Sequence, residues 1–523
     1  MKNRWRPLAL APTLVAAVAL GQLIDKTSLP NTAGEGINKS LPEQVGTGRG
    51  DRATPDSSSY VIARDPFRAI RRGRQLFQRK FGQRDGLGPV VDGGIGDVAT
   101  NAALGAGLAD SCASCHGRPR GSAGFGGAVA TRPDSRDAPH LFGMGLKEML
   151  ADEITAELRA IRDQASREAM VSSHDVTRPL VGKSIAFGTI TAHADGRLDT
   201  SAVEGVDADL RVRPFFAHGG TISIRESVVG ALQNEMGLQA VDSELATALA
   251  GGRVVTPAGM TLDGSRDRVE APPTGDPRTD PDRDGVANEI PQSLVDYYEF
   301  YLLNYFKPGS YAKTQETRRG AKLMAQVGCT DCHVRNLQVD RDRRVADVQT
   351  DYDEERGVFN NLFATARTLI RSVTDRVGAP PLQVPLGESF LVRDLFTDFK
   401  RHDLGPAFHE RQYDGTVRTQ FMTAALWGVG STGPYGHDGR SLNLTEVILR
   451  HGGEARQQRQ AFAALNRVDR AALLEFLSSL VLFPPDDTAS NLDPGDPEAR
   501  GYPQLKHGSI KLGVLFNDPN DWE

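Results

Sequence analysis

The chain has 523 residues, 39% of them hydrophobic, which suffices for two or three globular domains with sizeable cores and excludes a mini-protein that depends on cysteine staples. Its net charge of -6, with Lys and Arg spread among Asp and Glu, leaves no basic footprint and argues against a nucleic-acid partner.

In chain order, residues 1–22 place Lys2, Arg4 and Arg6 ahead of an apolar run from Leu8 to Leu20 that ends in small residues, the layout of a secretory signal peptide. The run falls short of the ~20 apolar residues that span a bilayer. The expectation is therefore a periplasmic or otherwise exported protein, with an uncleaved anchoring segment as the alternative. Residues 23–59, rich in Gly, Pro, Ser, Thr and Asn, read as a flexible leader.

All 4 cysteines fall in two motifs, Cys112-Ala113-Ser114-Cys115-His116 and Cys329-Thr330-Asp331-Cys332-His333. In c-type haem attachment two such thiols form thioethers with the porphyrin vinyl groups and the following histidine ligates the iron. One helical turn presents all three groups to one macrocycle. A zinc site built from both pairs would have to close a loop of more than two hundred residues and would leave both histidines unexplained. A thioredoxin-like pair would not occur twice with His each time. The expectation is two covalently bound haem c groups, on Cys112, Cys115 and His116 and on Cys329, Cys332 and His333.

Most of the ordered sequence reads as helix and loop. Met149, Leu150, Ile154, Leu158 and Ile161 recur at helical spacing, as do Leu294, Tyr298, Tyr301, Leu302 and Tyr305, and Leu473, Phe476, Leu477 and Leu480. A helical segment precedes each motif, Phe67 to Phe81 and Thr317 to Val327. No comparable series of alternating strands stands out. The expected fold class is mainly α, two haem domains with long loops and little β structure: residues 60–305, residues 306–484, and a C-terminal extension at 485–523. The Gly-, Pro- and Asp-rich stretch from Thr256 to Pro291 reads as a connection between them or a surface excursion. Inside it, Asp280, Asp282 and Asp284 followed by Gly285 resemble the first half of a calcium-binding loop, although the twelfth position is Pro291 rather than Glu. A solvated acidic turn is the alternative.

The late segment Gly433-Pro434-Tyr435-Gly436-His437-Asp438-Gly439-Arg440-Ser441, with Leu444-Thr445-Glu446-Val447-Ile448 and the earlier Leu426-Trp427-Gly428, resembles the bacterial di-haem cytochrome c peroxidase and MauG superfamily. Within it, the di-haem oxidoreductase branch is the most similar. The resemblance covers roughly residues 65–484. It implies two cytochrome c-like domains, one reactive haem and one relay haem, hydrogen peroxide as oxidant, and a small redox protein as electron donor or acceptor. Counting fourteen residues from His437, as the family does, places the second haem's other axial ligand on His451, opposite His333. His402 is a rival, and Tyr435 and His437 are expected to anchor a propionate or the loop.

The run Phe215-Phe216-Ala217-His218-Gly219-Gly220-Thr221 through Asn234-Glu235-Met236 resembles the segment lining the reactive side of the first haem. The family's proton-handling Glu falls on Glu235, its Gln on Ser227, and the Trp between its haems on Ala217; His218 lies in the same stretch. His140 is a candidate ligand on the open side of the first iron, with an ordinary loop histidine as the alternative. Two further readings follow: a plain electron carrier with both irons six-coordinate, which the missing Trp and Gln favour, and a dioxygen-using enzyme like the di-haem rubber oxygenases.

Overall fold

The computed structural model describes residues 40–87, 109–117, 123–124, 128–129, 136–269, 276–280, 285–305, 309–310, 314–352, 362–412, 415–482 and 510–511. The helix Pro66–Gln78 starts where the Asp65 side chain accepts from the Arg68 N–H and Pro66 takes a first-turn position that needs no donor. It buries Ala69, Ile70, Leu76 and Phe77 and packs on the helix Gln292–Leu303, whose tyrosines Tyr297, Tyr298 and Tyr301 are all buried. The contact is close at Gly73, where a Cβ would stand 2.4 Å from the Tyr297 carbonyl oxygen.

The second half repeats this arrangement. Thr314 caps the helix Gln315–Gln326, which packs on Arg467–Ser478, and a Cβ on Gly320 would stand 2.0 Å from the Ala472 carbonyl oxygen. In both halves the chain leaves the glycine-bearing helix and reaches a Cys-x-x-Cys-His motif. The two glycine-bearing helices share Arg-Arg-Gly and a Leu three residues on, Arg71-Arg72-Gly73 with Leu76 and Arg318-Arg319-Gly320 with Leu323, and both crossings need the glycine's missing side chain.

Among the described residues the three largest of four apolar clusters follow. One joins both helices of the first crossing to Ile222, Leu232, Met236 and Leu262. A second lies between the halves, where Leu146, Met149 and Leu150 of the helix Met144–Ser172 meet Leu337, Val392, Leu395 and Trp427. The third surrounds the second crossing with Leu323, Met324, Phe396 and Phe476. The halves are thus fused through the second core.

The expectation of a mainly α chain with little β structure is corrected. Twelve α-helices are accompanied, among the described residues, by twenty short strands. Val176–Gly182, Ile185–Ala192 and Leu198–Asp199 form an antiparallel sheet on the helix Met144–Ser172, and Ala346–Tyr352 pairs antiparallel with Leu362–Thr368. These strands evade a periodicity search because Pro179 and a register shift interrupt the first, and its exposed residues outnumber its buried ones.

The leader expected over residues 23–59 is also corrected from Ser40 onward. Leu41–Val45 is a helix with Leu41 and Val45 in the first core, and Arg49 pairs with Glu244 and Asp296. That pair joins a buried ionic cluster in which Arg225 meets Asp242 (2.6 Å), Glu299 (2.7 Å), Asp296 (2.9 Å) and Glu244 (3.1 Å). An arginine this buried would cost several kcal/mol without its partners, so the segment around Arg49 belongs to the body. The stretch from Thr256 is likewise no excursion: Met260 and Leu262 are fully buried, and Thr256 donates to Glu299. Residues 1–39 and almost all of 485–523 lie outside the described residues, and no described helix is long and apolar enough to cross a membrane.

Candidate haem centres

Ser111 begins the first site. Its hydroxyl accepts from the Ser114 N–H at 3.2 Å, which starts the single helical turn Cys112–His116. Residues three and four apart share a helix face, so Cys112, Cys115 and His116 present one side. Burial pushes the Cys112 thiol up to about 12, and burial together with the charges of Glu235 and Asp110 raises that of Cys115. No disulfide joins any of the four cysteines. Thiols held protonated are poor redox nucleophiles and poor thiolate ligands.

His116 Nδ1 lies 2.8 Å from the Pro139 carbonyl oxygen. A carbonyl can only accept, so Nδ1 carries the proton and Nε2 keeps its lone pair, the arrangement a metal-ligating histidine needs. Burial lowers the ring's pKa and favours its neutral form. Half-buried Cys112, Cys115, Leu141 and Val228 pack on the first core around it.

The second site reaches the same chemistry by a different turn. Gly328 (φ +82°) leads into a 3-10 turn, Cys329–Asp331, with no side-chain cap. His333 Nδ1 lies 3.0 Å from the Phe396 carbonyl oxygen, again leaving Nε2 free to ligate, and burial again lowers its pKa. Burial raises the Cys329 thiol to about 11. Half-buried Leu426, Val429, Leu444, Ile448 and Leu465 line the third core beside Cys329. Both sites therefore fit a haem: a ring nitrogen oriented from behind, two half-buried thiols, and apolar side chains left half-covered.

The two further histidines differ. His451, at the end of the helix Leu444–Arg450, bonds through Nδ1 to the Val447 carbonyl oxygen at 2.7 Å and keeps Nε2 for a ligand. Burial, with the nearby His333 ring adding to it, lowers its pKa to about 4. His140 is reversed, with Nε2 2.6 Å from the Trp427 carbonyl oxygen and Nδ1 buried without a partner. Burial, then Lys147, then His116 bring its pKa down to about 3.

Glu235 is half-buried on the Cys115 side of the first site, and its backbone carbonyl accepts from Ala109. The Ser227 hydroxyl is used at a helix start, bonded to the Ser223 carbonyl (3.0 Å) and to Thr221 (2.7 Å). His218 stacks on Phe216, and with Arg213, Arg401 and Arg418 it lines a cavity of about 410 Å³ between the halves. His402 has both nitrogens on carboxylates, Asp398 at 2.8 Å and Glu454 at 2.7 Å. Burial opposes its charge, but the bonds to Asp398, Cys332 and Glu454 prevail and push its pKa up to about 11. His437 stacks on Phe421 with centroids 3.9 Å apart, and Tyr435 closes its loop through Ser441. Asp280 accepts from Gly285 N–H at 2.9 Å, while Asp282 and Asp284 lie outside the described residues.

Sequence reasoning missed the groups that orient the ligands. Pro139 and Phe396 act through backbone carbonyls, which carry no residue signature. Arg450, which grips Asp438 by two bonds of 2.8 and 3.1 Å and fixes the loop bearing His437, was legible only as the partner that the conspicuous Asp438 demands.

Two oriented histidines, each behind a pair of half-buried thiols, make two candidate haem sites. Residues 341–480 match the family described as Di-haem oxidoreductase, putative peroxidase. Among solved structures the chain is similar to Kuenenia stuttgartiensis hydrazine synthase pressurized with 20 bar xenon, at 13% identity and TM-score 0.31, over 83% of this chain and 94% of that one. That likeness is too slight to carry an argument. No curated protein matches the chain.

Proposed function

We propose that the chain is an exported di-haem c-type oxidoreductase that uses hydrogen peroxide, with its reactive centre at His116 and its electron relay at His333. The observation that carries the reading is the difference between the sites: His333 has a neighbouring histidine, His451, with Nε2 available, whereas His140 beside His116 has spent its Nε2 on Trp427. The second site would thus hold a haem iron through His333 and His451, and the first through His116, where the haem would supply the chemistry for a small oxidant.

Haem supplies one-electron redox chemistry and a place for peroxide to react. The protein's own part at the first centre falls to Glu235. Its carboxylate would take a proton from one peroxide oxygen and return it to the other as the O–O bond breaks, so that with two electrons from the redox partner and two protons from solvent the peroxide ends as two waters. Cys112 and Cys115 fix the macrocycle through thioethers, and Pro139 aims His116. At the second centre Phe396 aims His333, and a small redox protein supplies the electrons. Residues 1–22 would direct export.

The test is a haem count by pyridine haemochrome followed by peroxide turnover in Glu235→Gln. The expected result is two haems per chain and a loss of about a hundredfold in turnover; unchanged turnover removes Glu235 from the mechanism. The use of the Ser227 hydroxyl at a helix start favours a second reading, a plain electron carrier. Two purely low-spin haems that ignore cyanide would establish it over the first.

A further inference from the structure

The two histidines aimed at haem are joined behind their rings. From His116, the Nδ1–H bond reaches the Pro139 carbonyl at 2.8 Å, and the next residue, His140, donates through Nε2 to the Trp427 carbonyl at 2.6 Å. From Trp427 the path steps back one residue to Leu426, whose N–H donates to the Leu395 carbonyl at 3.2 Å. One residue onward, the Phe396 carbonyl accepts from His333 Nδ1 at 3.0 Å. Four hydrogen bonds and short stretches of backbone therefore connect one centre to the other.

The path runs through well-fixed structure. Phe142 stacks on Tyr305 with centroids 4.8 Å apart, and Leu141 N–H bonds to the Ala123 carbonyl at 3.0 Å. Asp137 N–H reaches across to the His437 carbonyl at 3.1 Å. Gly143, at φ +72°, lies so near Trp427 that a Cβ there would stand 2.3 Å from its ring. Trp427 itself is buried in the core between the halves. The loop from Asp137 to Gly143 is gripped by both halves at once.

His140 also stands on the wrong side to ligate. Its neighbour Pro139 bonds to Nδ1 of His116, the nitrogen that points away from the iron, so the His140 loop lies behind the ring and not across the macrocycle from it. The Trp that the related peroxidases place between their haems is Ala217 here, so a link elsewhere is required for rapid exchange.

We propose that His140 is a positioning residue and no iron ligand, and that its hydrogen bond to the Trp427 carbonyl is the link through which His116 and His333 are oriented together and the two haems exchange electrons. This rests on the di-haem reading above. In one transfer the haem on His333 is oxidised by one electron and the haem on His116 is reduced by one. No bond along the path breaks, and no proton need leave it.

The experiment uses the full haem-loaded chain as wild type, His140→Leu and His140→Gln, with inter-haem electron transfer followed after pulse radiolysis and the spin state of each haem by EPR. Leucine cannot donate to Trp427, and transfer should slow by about tenfold or more, the low end of what losing an outer hydrogen bond behind a metal ligand costs. Glutamine can donate to the same carbonyl and should restore most of the rate. In both variants the resting EPR signals should match wild type. Conversion of the His116 haem from low to high spin in both variants would make His140 a ligand and overturn the proposal. An unchanged rate in His140→Leu, or a rate equally slow in a fully folded His140→Gln, would overturn it as well. If His140→Leu fails to fold, the glutamine variant alone decides, since it must keep both rate and spectra. A wild-type haem count other than two would instead reject the reading on which the proposal stands.

Discussion

The same five-residue motif is built two ways in this molecule. Around His116 it is a capped α-helical turn begun by Ser111; around His333 it is an uncapped 3-10 turn that follows Gly328 in a left-handed conformation. The surroundings diverge further. The first site is backed by tyrosines and has Glu235 beside Cys115, while the second has His402 clasped between Asp398 and Glu454 beside Cys332. The motif therefore supplies the candidate attachment groups, and the neighbourhood would specify what a group held there can do. A carboxylate near one centre can shuttle a proton. An imidazolium near the other, its charge favoured by Asp398 and Glu454, would favour added electron density on a haem held there.

The largest test of this contrast is to remove the thiols pairwise. Replacing Cys112 and Cys115 by Ala should lower the haem content from two to one per chain and abolish peroxide turnover, leaving the low-spin centre. Replacing Cys329 and Cys332 should lower it equally but leave the chain able to react with peroxide once. Identical spectra of the two products would show that the sites do not differ.

A second test addresses the charge on His402. Its folded pKa is raised to about 11 from an unfolded value near 6.5. The stability this contributes is complete below about pH 6.5 and is lost as pH rises toward about 11. Asp398→Asn should flatten that dependence and cost roughly 1.5–3 kcal/mol at neutral pH, the range for a hydrogen bond to a charged group. Denaturant midpoints from pH 6 to 11 measure it, and an unaltered slope would show that His402 is not held charged.

The smallest effect concerns the turns themselves. Ser111→Ala removes a cap and should cost about 1 kcal/mol, while Gly328→Ala forces a side chain into a left-handed backbone at about 1–2 kcal/mol. Thermal unfolding of each, with haem content unchanged, would show that the two turns rely on different local devices. If Ser111→Ala were neutral, the cap would not be what shapes the first motif.

Much of the helical framework was legible: the apolar spacing of Met149 to Ile161 and of Leu294 to Tyr305 marked helices that the structure contains. The sheet on the long helix was not, because its strands carry too few buried residues and an interrupting Pro179. Nor was the docking of residues 40–59, since its cause is Arg49 meeting Glu244 and Asp296 nearly two hundred residues or more away.

The sequence by itself determined where the candidate attachment groups stand relative to one another. Two thiols and an imidazole at positions one, four and five fall on one side of a single turn, a relation set by local geometry alone. Only the tertiary structure decided which way each imidazole faces. Pro139 is 23 residues from His116, Phe396 is 63 from His333, and Trp427 is 287 from His140. The carbonyls of Pro139 and Phe396 reach their histidines within one half and that of Trp427 only when the two halves pack, because a backbone acceptor is common to every residue and acquires a role solely from where the fold brings it.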